Sequence, residues 1–215
     1  MLDVTADEYE SMMVRGWRRF GPCYFRPMCA DCMRCVTLRV PTSTFAPSKS
    51  QRRAVRTHAK LRRTWGRPRV DEERLELYAK WHEEREGARG WDVSELDHEK
   101  YRIEFAFPHP CAREVAFHDD ERGGKLVGLG LVDETPSALS AVYFFFDPAY
   151  GSLGVANVVQ LIADAKRVGL AHVYLGYRVE GCASLEYKGR YRPHELLVGR
   201  PAANETPRWV AAEGV

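Results

Sequence analysis

Four of the chain's six cysteines, Cys23, Cys29, Cys32 and Cys35, fall within the thirteen residues CYFRPMCADCMRC. Four thiolates on one short loop suit a tetrahedral zinc ion or an iron-sulfur cluster, both of which take sulfur ligands. Arg26 and Arg34 lie among them and favour the thiolate form. The usual zinc pattern has two separated CxxC knuckles, whereas here Cys29, Cys32 and Cys35 overlap at a step of three. Reduced structural thiols and a redox-sensitive cluster therefore stand beside a metal site as readings of the same residues. Cys111 and Cys182 stand alone.

The surroundings of the cysteines are strongly basic. The formal net charge is only +2, yet from Val14 to Arg69 fifteen lysines and arginines face a single acid, Asp31. From Val70 onward seventeen basic residues face twenty-five acidic ones. The densest basic stretch is SKSQRRAVRTHAKLRRTWGRPR, in which Ser48 or Ser50 caps an expected helix that Gly66 and Pro68 end. Arg52, Arg53, Arg56, Lys60 and Arg63 would recur along one side of it, a pattern suited to a polyphosphate backbone. The competing reading is a solvated helix paired with the acidic DEERLELYAKWHEERE that follows.

Asp3, Asp7, Glu8 and Glu10 break the opening residues, so no leader is expected there, and no apolar run approaches the length of a bilayer. A cytoplasmic protein with reduced thiols is the expectation. At 215 residues and 45% hydrophobic content, the chain can bury one large core or two small ones.

Several elements must position these residues. TADEYESMM reads as a helix opened by a Thr5–Glu8 capping box, and VTLRVPTSTF alternates as a strand. Helices are expected near 71–86 and 94–106, the first amphipathic through Leu75, Leu77, Tyr78 and Trp81, the second capped by Ser94 with Asp97 as its partner. From Cys111 the texture turns to strands: REVAFHD, KLVGLGLVDE and LSAVYFFFDP, the last ended by a turn at Asp147-Pro148. SLGVANVVQLIADAKRVGL is an amphipathic helix and AHVYLGYRV a short buried strand. A meander, a helix and a further strand is the order of the acetyltransferase-like (GNAT) acyl-transfer fold. The expected architecture is thus α/β: a GNAT-type mixed sheet with helices over 70–215, behind a small basic Cys-rich module over 1–69.

Two blocks are too idiosyncratic for packing alone. DEYESMMVRGWRRFG with TFAPSKSQRR, and VYFFFDPAYGSLGV with YLGYRVEGCASLEYKGRYRPHELL, resemble the two halves of the aminoacyl-tRNA-protein transferases, the arginyltransferases and related bacterial leucyltransferases of the N-degron pathway. The resemblance runs from about Tyr9 to Leu197 and is weakest between Val70 and Arg102. It implies transfer of an amino acid from its tRNA to the amino terminus of a protein beginning with Asp or Glu. An aminoacyl ester is already activated, so such an enzyme has to align two large partners and help the amine lose a proton.

The resemblance also allots roles. Arg52, Arg53, Arg56 and Lys60 would track the tRNA. Ser152 and Gly154, at a helix start, would place backbone amides against an anionic donor. Lys188, Arg190, Tyr191 and Arg192 of YKGRYRP would hold a carboxylate or phosphate and stack on bases. Trp17, Arg18 and Arg19 would form the cationic acceptor pocket, since a carboxylate removed from water needs a partner. Neither the resemblance nor any motif names the general base, for which His98, Asp133 and Glu186 are the candidates. In arginyltransferases an iron-sulfur cluster is associated with cysteines of this region and of an upstream segment. The present sequence starts near the family's first helix, so either Cys23 completes the site or the site is incomplete.

The wording of FAPSKS and YKGRYRPHELL resembles arginyltransferases more closely, which makes arginine the expected donor and leucine the alternative. A non-catalytic tRNA-binding module with structural zinc is the rival of another class. No nucleotide cofactor is expected: the diphosphate-loop signature of acyl-CoA transferases, Arg/Gln-x-x-Gly-x-Gly/Ala, is missing.

Overall fold

The alternation in KLVGLGLVDE shows how the sheet is covered on both faces. Leu129 and Leu131 point to one side of their strand, while Gly128 and Gly130 face a helix on the other. A Cβ at Gly128 would lie 2.8 Å from Leu153 Cδ2, and one at Gly130 would lie 3.2 Å from Phe144 Cδ2. Glycine at these two positions lets the helix come close to the sheet.

The computed structural model describes residues 4–89 and 96–212. In chain order its elements are α1 (Ala6–Met13), β1 (Arg18–Phe20), β2 (Cys23–Phe25), β3 (Val36–Pro41), α2 (Lys49–Thr57), β4 (Arg62–Gly66), α3 (Glu72–Arg89) and α4 (His98–Glu104). There follow β5 (Ala112–Asp119), β6 (Lys125–Glu134), β7 (Ala138–Phe146), α5 (Leu153–Arg167), β8 (His172–Arg178), α6 (Ala183–Glu186), β9 (Glu195–Leu197) and β10 (Trp209–Ala211). A 3₁₀ turn at Tyr187–Arg190 follows α6 directly.

Strands β10-β9-β3-β8-β7-β6-β5-β4 form one mixed sheet in that order, and β1 and β2 make a separate hairpin. Every neighbouring pair in the large sheet is antiparallel except β7 and β8, which α5 connects as a parallel crossover. One apolar core, with Leu153, Ala156, Leu161 and Ile162 of α5, covers the first face. A second, with Leu77, Tyr78 and Trp81 of α3 and Tyr101 and Phe105 around α4, covers the other. The meander, helix and strand expected of a GNAT-type fold are present.

The sheet draws strands from both sides of the expected boundary at residue 69. β3 lies between β9 and β8, and β4 forms the far edge beside β5. Residues 36–66 are therefore part of the same sheet as the strands that follow residue 69.

Local signals are realised at the capped ends. Thr5 Oγ1 accepts from Glu8 N at 3.2 Å and Glu8 Oε2 from Thr5 N at 2.8 Å, closing the capping box. Ser48 does the same with Gln51. The basic helix is shorter than its sequence pattern. It ends at Thr57, and Arg62–Gly66 turn away as β4, leaving Lys60 and Arg63 off the cationic face. Pairing with β5 outweighs the local period: Arg63 lies over Phe117 and its guanidinium meets Asp164 of α5 at 2.8 Å. α4 begins later than expected, with Asp97 itself as the cap, accepting from Lys100 N at 2.8 Å. Ser94 lies outside the described residues.

Candidate active site

The parallel pair β7 and β8 is bonded only at Ala138–Ser140 with His172–Tyr174, although both strands continue well beyond. Each strand carries a bulge where they part. Val142 is the extra residue between Ala141 and Tyr143 against β6, and Leu175 the extra residue between Tyr174 and Gly176 against β3. Bulges bend and twist a strand, so two of them back to back open a fork in the sheet. Gly176, with φ +80°, supplies the left-handed residue that the β8 bulge requires.

Two adjoining cavities occupy this fork, sharing Ala141, Val142, Tyr143, Leu175 and Lys188 as walls. The larger, about 600 Å³, lies towards α5 and α3 and is mostly apolar, with Leu131, Phe144, Phe146, Val158 and Leu161 among its lining. Trp81 and Arg85 of α3 line it as well, the Arg85 guanidinium 5.2 Å from the Trp81 ring. A buried pairing of Arg74 with Glu114 of β5 and with Asp71 fixes the start of α3 that carries them. The smaller cavity, about 290 Å³, is lined by Arg18, Arg19, Phe20, Phe25 and Tyr177 besides the shared residues.

Arg18 is only 5% exposed. Its Nη1 donates to the carbonyls of Trp17 (2.6 Å) and Met13 (3.3 Å), while Nε and Nη2 have no partner. Its charge lies over the rings of Tyr174 and Tyr177, at 5.1 and 5.7 Å. Burial drives its proton affinity down, in spite of these rings and of Asp133. Arg19 is engaged differently, donating to Asp133 and to the Gly21 carbonyl (2.7 Å). Asp133 is fully buried and also accepts from Tyr9 at 3.0 Å. It is consumed in a structural network. Trp17 lines neither cavity and is covered by the Arg26 guanidinium at 5.3 Å.

Ser152, Gly154, Lys188 and Tyr191 all line the larger cavity. Ser152 takes a left-handed φ of +69° at the start of α5, with no side-chain cap, and its Oγ stands 3.3 Å from His58 Nε2. Tyr191 is buried, whereas Arg190 and Arg192 are exposed and line neither cavity. Arg190 is tied to the basic helix through its carbonyl, which accepts from Gln51 Nε2 at 3.1 Å. Arg52, Arg53 and Arg56 lie exposed on α2, and Lys60, beyond its end, meets Glu121 at 2.7 Å. His98 faces Glu72 at 3.0 Å on the surface and Glu186 is exposed on α6. Neither one lines the fork. Asp147 ends β7 as expected, accepting from Ala149 N at 3.1 Å, and pairs with Lys80 at 2.7 Å.

The four clustered thiols are free and do not converge. Cys23 pairs with Phe20 in the β1–β2 hairpin, Cys35 immediately precedes β3, and Arg200 holds the backbone carbonyls of Cys29 and Cys32. Among the described residues no group of three or more His, Cys, Asp or Glu stands where it could hold a metal ion. As arranged, these residues do not fit a four-sulfur zinc or iron-sulfur site.

Two family models together match most of the chain. The family model described as arginine-tRNA-protein transferase, C terminus, matches residues 73–198, and its N-terminal counterpart matches residues 2–53. The chain belongs to the arginine-tRNA-protein transferase family. This aminoacyl transferase is 32% identical to the aspartate/glutamate leucyltransferase of Helicobacter hepaticus (strain ATCC 51449 / 3B1), over 99% of this chain and 88% of that one. It is 35% identical to the aspartate/glutamate leucyltransferase of Pseudomonas aeruginosa (strain LESB58), with coverage of 94% and 82%. Among solved structures the transferase shares its fold with FemX, at a TM-score of 0.52 and 11% identity over 86% of this chain and 64% of that one. L-PGS from Bacillus licheniformis has a TM-score of 0.50 at 14% identity, over 82% of this chain; the transferase spans 58% of the length of L-PGS. Among the described residues no helix of the transferase is long and apolar enough to cross a membrane.

Trp81 and Arg85 are the functional candidates that sequence reasoning missed. They lie in the stretch where the resemblance is weakest, and Trp81 reads there as a packing residue. Arg85, one turn further on the same helix, was the available signal.

Proposed function

We propose that the transferase moves leucine, rather than arginine, from its tRNA to the amino terminus of proteins beginning with aspartate or glutamate. The observation that carries this reading is the contrast between the two halves of the fork. The larger cavity offers Leu131, Val142, Phe144, Phe146, Val158 and Leu161 to a side chain, and no described aspartate or glutamate lines either half. Seating an arginine donor there would bury a guanidinium without a carboxylate, whereas leucine loses nothing by leaving water. Arg18 lines the smaller cavity with Nε and Nη2 unpartnered, a donor pair that would match an acceptor carboxylate bidentately. The names of the leucyltransferase relatives agree with this assignment.

In this reading the ester carbonyl sits where the cavities meet, so that the acceptor amine approaches it from the Arg18 side. Arg52, Arg53 and Arg56, joined to the fork through Gln51 and Arg190, give the acceptor stem a cationic approach. The deciding experiment incubates the protein with radiolabelled leucyl- or arginyl-tRNA and peptides starting with Asp, Glu or Ala. Leucine on the Asp and Glu peptides alone is expected. Arginine transfer would overturn the donor assignment, and retained tRNA binding with no transfer would favour a non-catalytic tRNA-binding module.

A further inference from the structure

The proposed reaction leaves its proton unassigned, because Asp133 is locked to Arg19 and Tyr9 while His98 and Glu186 lie outside the fork. The side chains that line both cavities are Ala141, Val142, Tyr143, Leu175 and Lys188. Of these, only Lys188 carries an amine. It stands on the 3₁₀ turn, and Gly176 of β8 leaves room for it: a Cβ there would lie 3.3 Å from Lys188 Nζ. The geometry points to Lys188 as the group that takes the proton from the attacking amine and delivers it to the departing ribose oxygen.

The step balances without a further reactant. The neutral amine nitrogen bonds to the ester carbonyl carbon, the bond from that carbon to the ribose oxygen breaks, and one proton passes from nitrogen to Lys188 and on to the oxygen. An amide and a free tRNA hydroxyl result, and Lys188 ends neutral as it began. This assignment rests on the transfer reading above and adds the residue that moves the proton.

The surroundings suit a lysine that must spend part of its time neutral. Arg18 faces it from β1, Tyr143 from β7, Tyr177 from β8 and Cys182 from the cap of α6, while Tyr187 and Arg190 flank it in its own turn. Burial first, and then repulsion from Arg18, push its amine down to about 8, near the range where a general base works best. Tyr143 is pushed the other way by burial and keeps its proton. An acceptor carboxylate seated on Arg18 would offset part of that repulsion and raise the amine's proton affinity, leaving burial as the main cause that keeps it low.

Lys188→Arg keeps a charge but cannot accept a proton, and Lys188→Met keeps the volume without the amine. Leucyl-tRNA and an Asp-starting peptide are followed to leucylated peptide by mass spectrometry. Both variants are expected to lose about 100-fold or more in kcat with acceptor KM within roughly threefold, and imidazole at fixed pH should restore rate to Lys188→Met. A Lys188→Arg protein with wild-type kcat, or a Lys188→Met protein whose lost rate no imidazole concentration restores, would overturn the assignment. If the wild-type protein transfers nothing, it is the underlying reading that falls.

Discussion

Arg18 and Arg19 are consecutive on β1 and both buried, yet Arg19 is closed onto Asp133 while Arg18 keeps Nε and Nη2 unpartnered beside the smaller cavity. The first arrangement holds the hairpin to the sheet; the second leaves a desolvated cation with two donors unpaired, which the proposed function assigns to the acceptor carboxylate. Arg18→Gln should therefore lower kcat/KM for Asp- and Glu-starting peptides by about 100-fold, mainly through KM, since a buried charge pair is lost. Arg19→Gln should instead destabilise the fold by about 3–5 kcal/mol, because Asp133 is left buried and alone. Steady-state kinetics and urea unfolding of both variants separate the roles. Equal kinetic losses at matched stability would refute the division.

The exposed arginines of α2 make a prediction that depends on salt. Each phosphate contact contributes roughly 0.9 to the slope of log affinity against log salt on a duplex stem. Replacing Arg52, Arg53 and Arg56 together by Gln should reduce that slope by about two to three units, with kcat at saturating tRNA unchanged. Lys60 already has Glu121 at 2.7 Å, so Lys60→Gln should move the slope by less. Filter binding between about 50 and 200 mM salt measures both.

The parts of the molecule legible in sequence are those governed by local rules. The Thr5–Glu8 box, a serine cap at Ser48, the meander from Ala112 to Phe146, and α5 with β8 all follow from capping and periodicity. The end of α2 at Thr57 was not legible, because an arginine-rich helical period continues through Arg63 and only the partner strand β5 decides otherwise. The fork was equally hidden. Val142 and Leu175 look like ordinary strand residues, and the bulges that they form depend on pairing with β6 and β3. Of the residues that line the candidate site, Arg18, Ser152, Gly154, Lys188 and Tyr191 stand in the motifs that carry the family resemblance. Asp133, one of the general-base candidates, is a carboxylate whose partners arrive from Tyr9 and Arg19, more than a hundred residues earlier. The cysteines illustrate the opposite limit: their spacing is plain, but the path of the loop, fixed in part by distant Arg200, decides whether sulfurs meet.

Ala141 offers a way to close the fork without touching a polar group. It lines both cavities at the point where β7 and β8 separate, and its side chain is half-buried. Ala141→Phe should fill the junction and displace the ester from the amine, costing about 100-fold in kcat/KM. The melting temperature should change little, since the added ring occupies existing space. Retained transfer in a folded Ala141→Phe protein would place the reaction elsewhere.

Lys188 links the fork to stability. Its amine, pushed down to about 8 from the ordinary 10.5, binds a proton less tightly in the folded chain than in the unfolded one. Stability therefore rises with pH between about 8 and 10.5, and below 8 the whole cost of the buried charge is present. Lys188→Met removes that cost, so the inactive variant should be more stable than the wild type at pH 7, by roughly 1–3 kcal/mol. The difference should shrink as pH rises from about 8 through 10.5, above which lysine is neutral in both states. Urea unfolding of the two proteins at pH 7, 8, 9 and 10 tests the sign directly. A Lys188→Met protein less stable than wild type at pH 7 would mean that the amine is held by favourable contacts, and would count against a lysine kept partly neutral for proton transfer.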